Sequence, residues 1–110
     1  MKQLLLIGIG PGDPRQVTFE AVDALKRATV FFVLDKGARS DELVRMRRAI
    51  LERYLPTGDY RVLQVDDPQR DAFASDYIDA VQDWHQQRAA LYARLIDDEL
   101  GPDDVGAFLL

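Results

Sequence analysis

The sequence predicts an α/β fold in which a mostly parallel sheet is flanked by helices. Three observations predict it. Four apolar or β-branched runs recur along the 110 residues, at Leu4–Ile9, Val30–Leu34, Arg61–Val65 and Val105–Leu110. The stretches between them carry apolar residues at the 3.6-residue spacing of amphipathic helices. Strand and helix therefore alternate, which is the order of βαβ units, whose crossovers require parallel strands.

Each element has its own justification. Leu4–Ile9 is continuously apolar and enters the turn Gly8-Ile9-Gly10-Pro11-Gly12, the pattern of a strand buried on both faces. Thr18 is placed to cap a helix running to about Arg27, with Glu20 favourable in its first turn. Val30–Leu34 is a second strand, closed by Asp35-Lys36-Gly37. Ser40 precedes a second helix that ends at Tyr54, before Pro56 and Gly58. Arg61–Val65 is more polar and belongs nearer a sheet edge. Ser75 precedes a long helix reaching about Leu100, stopped by Gly101-Pro102. The final run, Gly106-Ala107-Phe108-Leu109-Leu110, has the look of a buried strand with no turn or polar tail after it. The expectation is that residues 1–110 are an incomplete N-terminal domain of something longer.

Composition removes whole classes of chemistry. The chain is 47% hydrophobic and 30% charged, ordinary for a folded domain. With no cysteine it has no disulfide framework, thiolate nucleophile or cysteine-ligated metal. Its one histidine, His85, rules out a His-pair metal site, and no metal site is expected. No run is long enough for a membrane helix and no cleavage-site pattern follows Met1, so the default compartment is the cytoplasm. The net charge of −5 is unevenly spread. Residues 1–55 carry ten Lys/Arg and seven Asp/Glu, whereas residues 56–110 carry four and twelve. Bulk nucleic-acid binding is not expected, but an anionic ligand near the first half is compatible with this distribution.

The glycine turn is the strongest local signal. Gly8-Ile9-Gly10 opens like a dinucleotide-binding fingerprint, but Asp13 stands where the third glycine belongs and Pro11 removes an N–H. No Lys-Ser/Thr follows, which excludes a Walker loop. A nucleotide-binding α/β module and a non-catalytic partner-binding domain stay as the rival readings.

The stretch Gly8-Ile9-Gly10-Pro11-Gly12-Asp13-Pro14, with Thr18 at a helix start and Ala21 after it, resembles the opening of the tetrapyrrole methylases. Asp35-Lys36-Gly37, Asp41-Glu42-Leu43-Val44, Arg47-Arg48-Ala49-Ile50 and Asp83-Trp84-His85 resemble the branch whose reaction also releases acetate. The resemblance spans essentially the whole chain. It implies the N-terminal α/β domain of an S-adenosyl-L-methionine (SAM)-dependent methyltransferase acting on a precorrin, with a second domain completing the cofactor cleft and a homodimer as the usual assembly. It implies Gly10, Pro11 and Gly12 at the cofactor, Asp13 at the substrate and Asp35 as the catalytic proton acceptor; Arg47 is given to the substrate by its place on the second helix, because the implied substrate class carries many carboxylates. The lysine that a related branch carries after its third strand has no counterpart in Leu63-Gln64-Val65-Asp66-Asp67.

Some of these residues also stand out by pattern. Arg47 falls within the apolar arc Leu43, Met46, Ile50, Leu51 and Tyr54. Arg88 falls within the arc Tyr77, Val81, Trp84, Leu91 and Leu95. An arginine inside an apolar stripe must pair, lay its stem along the surface or meet an anion, and an internal ion pair or a packed stem is the favoured reading for both. Arg39, Arg45, Arg48 and Arg53 read as a solvated face, His85 as partly buried, and Asp66, Asp67 and Asp71 as solvent contacts rather than a cation site.

Overall fold

The computed structural model describes residues 1–35, 37, 41–68 and 76–110. In chain order it has strand β1 (Gln3–Ile7), helix α1 (Phe19–Arg27), strand β2 (Val30–Asp35), helix α2 (Asp41–Tyr54), strand β3 (Arg61–Asp66), helix α3 (Tyr77–Glu99) and strand β4 (Val105–Leu109). A single 3₁₀ turn, Pro14–Gln16, precedes α1. All pairings are parallel, in the order β1-β4-β2-β3. The predicted alternation and parallel sheet are therefore observed.

The helix ends follow local chemistry. The Thr18 hydroxyl accepts the Ala21 amide at 3.1 Å, capping α1 as expected. At α3 the cap is Asp76, whose carboxylate accepts the amides of Ile78 and Asp79 at 3.0 and 3.2 Å. An acidic oxygen satisfies orphan donors and also meets the positive end of the helix dipole. Ser40 and Ser75, expected at these starts, lie outside the described residues, as do Lys36, Arg39 and Asp71.

Two apolar layers hold the sheet. On one face, Ala21 and Leu25 of α1 and Ile50 and Leu51 of α2 pack against Ile7, Phe31, Ala107 and Leu109. On the other, Leu100 and α3 residues Tyr92, Leu95 and Ile96 pack against Val30, Phe32 and Phe108. β2 is buried through Val30, Phe31, Phe32 and Val33, which explains its β-branched and aromatic composition. The packing at Gly106 is tight: a Cβ there would lie 2.9 Å from Leu100 Cδ1 and 3.1 Å from Phe32 Cε2.

Several expectations are corrected. β1 was expected to be buried on both faces, but it is an edge strand whose Leu4 and Leu6 are 41% and 67% exposed. β4, read from the sequence as a buried strand, is one: it pairs with β1 on one side and β2 on the other. β3 does lie at an edge. In α2, Leu43 is exposed and Val44 is buried in its place, because the covered arc is turned by about one residue. In α3, Tyr77 and His85 are exposed, and the His85 ring stacks on Trp84 at 5.1 Å. Only Ala80 of that helix is fully buried, so its stripe is narrower than the sequence suggests.

Asp67 is also corrected: it is buried, at 6% exposure, rather than a solvent contact. Arg88 reaches it at 3.3 Å and donates to the Tyr92 hydroxyl at 2.5 and 2.9 Å. The guanidinium also lies over the Trp84 ring, 4.9 Å from its centre. Burial holds the Tyr92 hydroxyl above the ordinary tyrosine pKa. The ion pair expected for Arg88 is thus present, and it ties α3 to the end of β3. Asp67→Ala should lower unfolding free energy by about 2 kcal/mol, less than a fully buried pair because Arg88 keeps some water. Denaturant titration of Asp67→Ala, Arg88→Met and the double variant checks this. The double variant should lose less than the two single losses together, and strict additivity would refute the coupling.

Candidate functional site

All four strands are parallel, so their C-terminal ends share one rim of the sheet, the rim where open α/β sheets bind ligands. The glycine turn leaves β1 at this rim. Gly10 and Gly12 have φ of +73° and +111°, which only glycine adopts without strain. A Cβ at Gly12 would come 2.6 Å from Met46 Sδ, so the bare backbone lets α2 close on the turn. The amides of Gly10 and Gly12 take part in no hydrogen bond among the described residues. Pro11 between them is exposed and contributes no donor.

Asp13 anchors the next bend. Its carboxylate accepts the Arg15 amide at 2.9 Å and pairs with the Arg15 guanidinium at 3.1 Å. Those two donors hold its carboxyl below the ordinary aspartate pKa. The residue in the third-glycine position thus caps the 3₁₀ turn, unlike the close helix–strand packing that a dinucleotide fingerprint makes there. The Tyr54 hydroxyl donates to the Pro14 carbonyl and binds the end of α2 to the same bend.

Arg47 comes to the turn from α2. It is half-buried and lines a small cleft with Gly10, Pro11, Gly12, Met46 and Leu110. The structure therefore brings together four of the predicted residues: Gly10, Pro11, Gly12 and Arg47. Asp13 does not line that cleft.

Asp35 ends β2, half-buried, at the same rim. β4 separates β2 from β1, which places the two strand ends about 10 Å apart by strand spacing. One Asp35 oxygen accepts the Gly37 amide at 2.9 Å and the other accepts Gln64 Nε2 at 3.0 Å. Gln64 Oε1 in turn accepts from Arg48 at 3.2 Å. Arg48, expected on a solvated face, is instead half-buried and braces this group; Arg45 and Arg53 are exposed as expected. Gln64 and Arg48 carry no motif. Gln64 is revealed by its register opposite Val33, which sets its side chain one step from Asp35 on the α2 face.

Among the described residues there is no cluster of metal-ligating side chains, and no helix is long and apolar enough to cross a membrane.

Comparison with known proteins identifies the family. The model of the tetrapyrrole (corrin/porphyrin) methylases matches residues 3–99. The chain is 41% identical, over all 110 residues, to a precorrin-6A synthase [deacetylating] of Sinorhizobium sp, and covers 42% of that protein. It superposes with a TM-score of 0.69, at 32% identity, on the crystal structure of a putative cobalamin synthesis related protein (CobF) from Corynebacterium diphtheriae. That match covers 100% of this chain and 40% of the other. The chain thus spans about two fifths of the length of both relatives. With its glycine turn, its parallel sheet and a family match along nearly its whole length, the chain belongs to the tetrapyrrole methylases.

Proposed function

We propose that residues 1–110 form the incomplete N-terminal domain of a cytoplasmic, homodimeric methyltransferase of the precorrin-6A synthase type, which uses SAM and acts on a precorrin in cobalamin biosynthesis. The observation that carries this reading is the cleft joining Gly10, Pro11 and Gly12 to Arg47, in a chain 41% identical to a precorrin-6A synthase along its whole length. The turn fits one wall of a SAM site. Two amides without hydrogen-bond partners among the described residues flank an apolar proline, and no side chain at Gly10 or Gly12 blocks approach to the backbone. The cofactor, when bound, supplies an electrophilic methyl group.

On this reading the chain's own residues have distinct tasks. Gly10, Pro11 and Gly12 wall the cofactor. Arg47 offers a guanidinium beside that wall, suited to a substrate carboxylate. Asp13, also assigned to the substrate, has its carboxylate already held by Arg15. Methylation at carbon releases a proton, and Asp35 is the carboxylate at the rim to accept it, oriented by the Gly37 amide and Gln64. Arg48 acts on Asp35 only through Gln64 and is a positioning residue.

Two substitutions in the full-length enzyme test these roles. Asp35→Asn is nearly isosteric; it should leave SAM affinity intact and lower the methyl-transfer rate on the order of a hundredfold. Unchanged single-turnover rates with a precorrin substrate would remove Asp35 from the chemistry. Arg47→Met keeps the apolar stem, so stability should change by less than about 0.5 kcal/mol while KM for the substrate rises roughly tenfold or more. Normal KM with a large drop in melting temperature would make Arg47 a packing residue.

A further inference from the structure

Two carboxylates stand at the ligand-binding rim on opposite faces of the sheet, joined through one backbone hydrogen bond. Phe31 packs in the layer of α1 and α2, and Asp35, four residues further along β2, lies on that same face, where Gln64 meets it. Leu63 and Val65 of β3 pack in the α3 layer, and Asp67, next in that alternation, is buried against α3. The Asp67 amide donates to the Asp35 carbonyl at 2.8 Å, one residue beyond the Asp35↔Asp66 pair that ends the β2–β3 register. Whatever fixes Asp67 therefore fixes the backbone from which the Asp35 carboxylate projects.

α3 fixes it at several points. Trp84, Arg88 and Tyr92 recur every four residues and so share one side of α3. The Arg88 guanidinium lies 4.9 Å from the centre of the Trp84 ring and 5.4 Å from that of Tyr92, held between two rings of its own helix. From there its Nε lies 3.3 Å from Asp67 Oδ1. The Tyr92 hydroxyl accepts from Arg88 at 2.9 Å and donates to the same Asp67 oxygen at 3.4 Å. Trp84 Nε1 donates to the Pro68 carbonyl at 2.6 Å, so the residue after Asp67 is held by α3 as well. A buried ion pair adds little stability over apolar side chains of the same volume, but it accepts a narrow range of geometry. Neither Asp67 nor Arg88 lines the cleft at the glycine turn, so neither is placed to act on a ligand there directly.

We propose that Asp67 and Arg88 are positioning residues for Asp35: their ion pair fixes the end of β3 against α3, and the Asp67 amide passes that placement through the sheet to the Asp35 backbone. Gln64 and the Gly37 amide orient the Asp35 carboxylate, while the ion pair sets where its backbone stands. Such placement matters to rate, because a displacement of about 1 Å at a reacting group costs on the order of a hundredfold. The proposal rests on the reading of Asp35 as the proton acceptor in methyl transfer.

The test uses the full-length enzyme. Single-turnover methyl transfer to a precorrin is followed at saturating SAM, and KM is measured for both substrates. Asp67→Leu combined with Arg88→Met replaces the pair by apolar side chains and leaves no buried charge. The transfer rate should fall about tenfold, with both KM values within about twofold of the parent's. Introduced into Asp35→Asn, the same two changes should lower the rate by less than about twofold more, because the carboxylate they position is gone. An undiminished rate with the apolar pair would overturn the proposal. So would a tenfold loss that persists in the Asp35→Asn background, or a higher KM at an unchanged rate. Asp67→Asn is nearly isosteric, keeps an oxygen for Arg88 and decides the matter should the apolar pair not fold. Its rate should fall at least about threefold in the parent enzyme and stay level in Asp35→Asn, and any other pattern would overturn the proposal. Failure of the underlying reading looks different: Asp35→Asn alone would then transfer methyl at the full rate, which would remove the positioning role along with the proton acceptor.

Discussion

The structure depends on the last strand being inserted between the first two. β1 and β2 do not touch; each is hydrogen-bonded to β4, through Leu5↔Ala107 and Phe31↔Ala107 among other pairs. The glycine turn follows β1 and Asp35 ends β2, so the two halves of the candidate site are held in mutual position by β4. The insertion explains why β4 is small where it is most crowded. Gly106 and Ala107 lie between two strands with apolar layers above and below, and a Cβ at Gly106 would meet Leu100 and Phe32. Close packing there leaves little room for a larger side chain.

A second constraint is electrostatic. Arginines enter apolar helix faces twice, with different outcomes. Arg88 is met by buried Asp67 and the Tyr92 hydroxyl, so its charge is neutralised within the fold and joins α3 to β3. Arg47 is placed at the rim of the sheet, against a turn whose backbone amides point to no protein acceptor among the described residues. The first arrangement is structural; the second leaves a cation beside a backbone wall, the arrangement suited to an anionic ligand.

Much of the fold was legible in the sequence because its signals are local. The apolar runs, the Thr18 cap and the Gly101-Pro102 stop each act within a few residues, and the alternation of elements then implies a parallel sheet. Strand order was not legible. Nothing in Val105–Leu109 says that it lies between β1 and β2, since that depends on which side chains fit across the sheet. The Gly10-Pro11-Gly12 turn was visible because positive φ demands glycine, and Arg47 because a charge interrupts an apolar period. Gln64 and Arg48 were invisible for the opposite reason: both are ordinary polar residues, and their link to Asp35 arises only from the register of β3 beside β2. Asp67 was misread because its partner lies 21 residues away on another element.

The role of β4 is tested most directly by amide hydrogen exchange on Gly106→Leu, which drives a side chain into Leu100 and Phe32. If β4 is what joins β1 to the sheet, the amides of β1 and β4 should lose protection together, while those joining β2 and β3 keep theirs. Retained protection across β1 in a variant whose β4 amides exchange freely would contradict that role, and with it the view that β4 assembles the site.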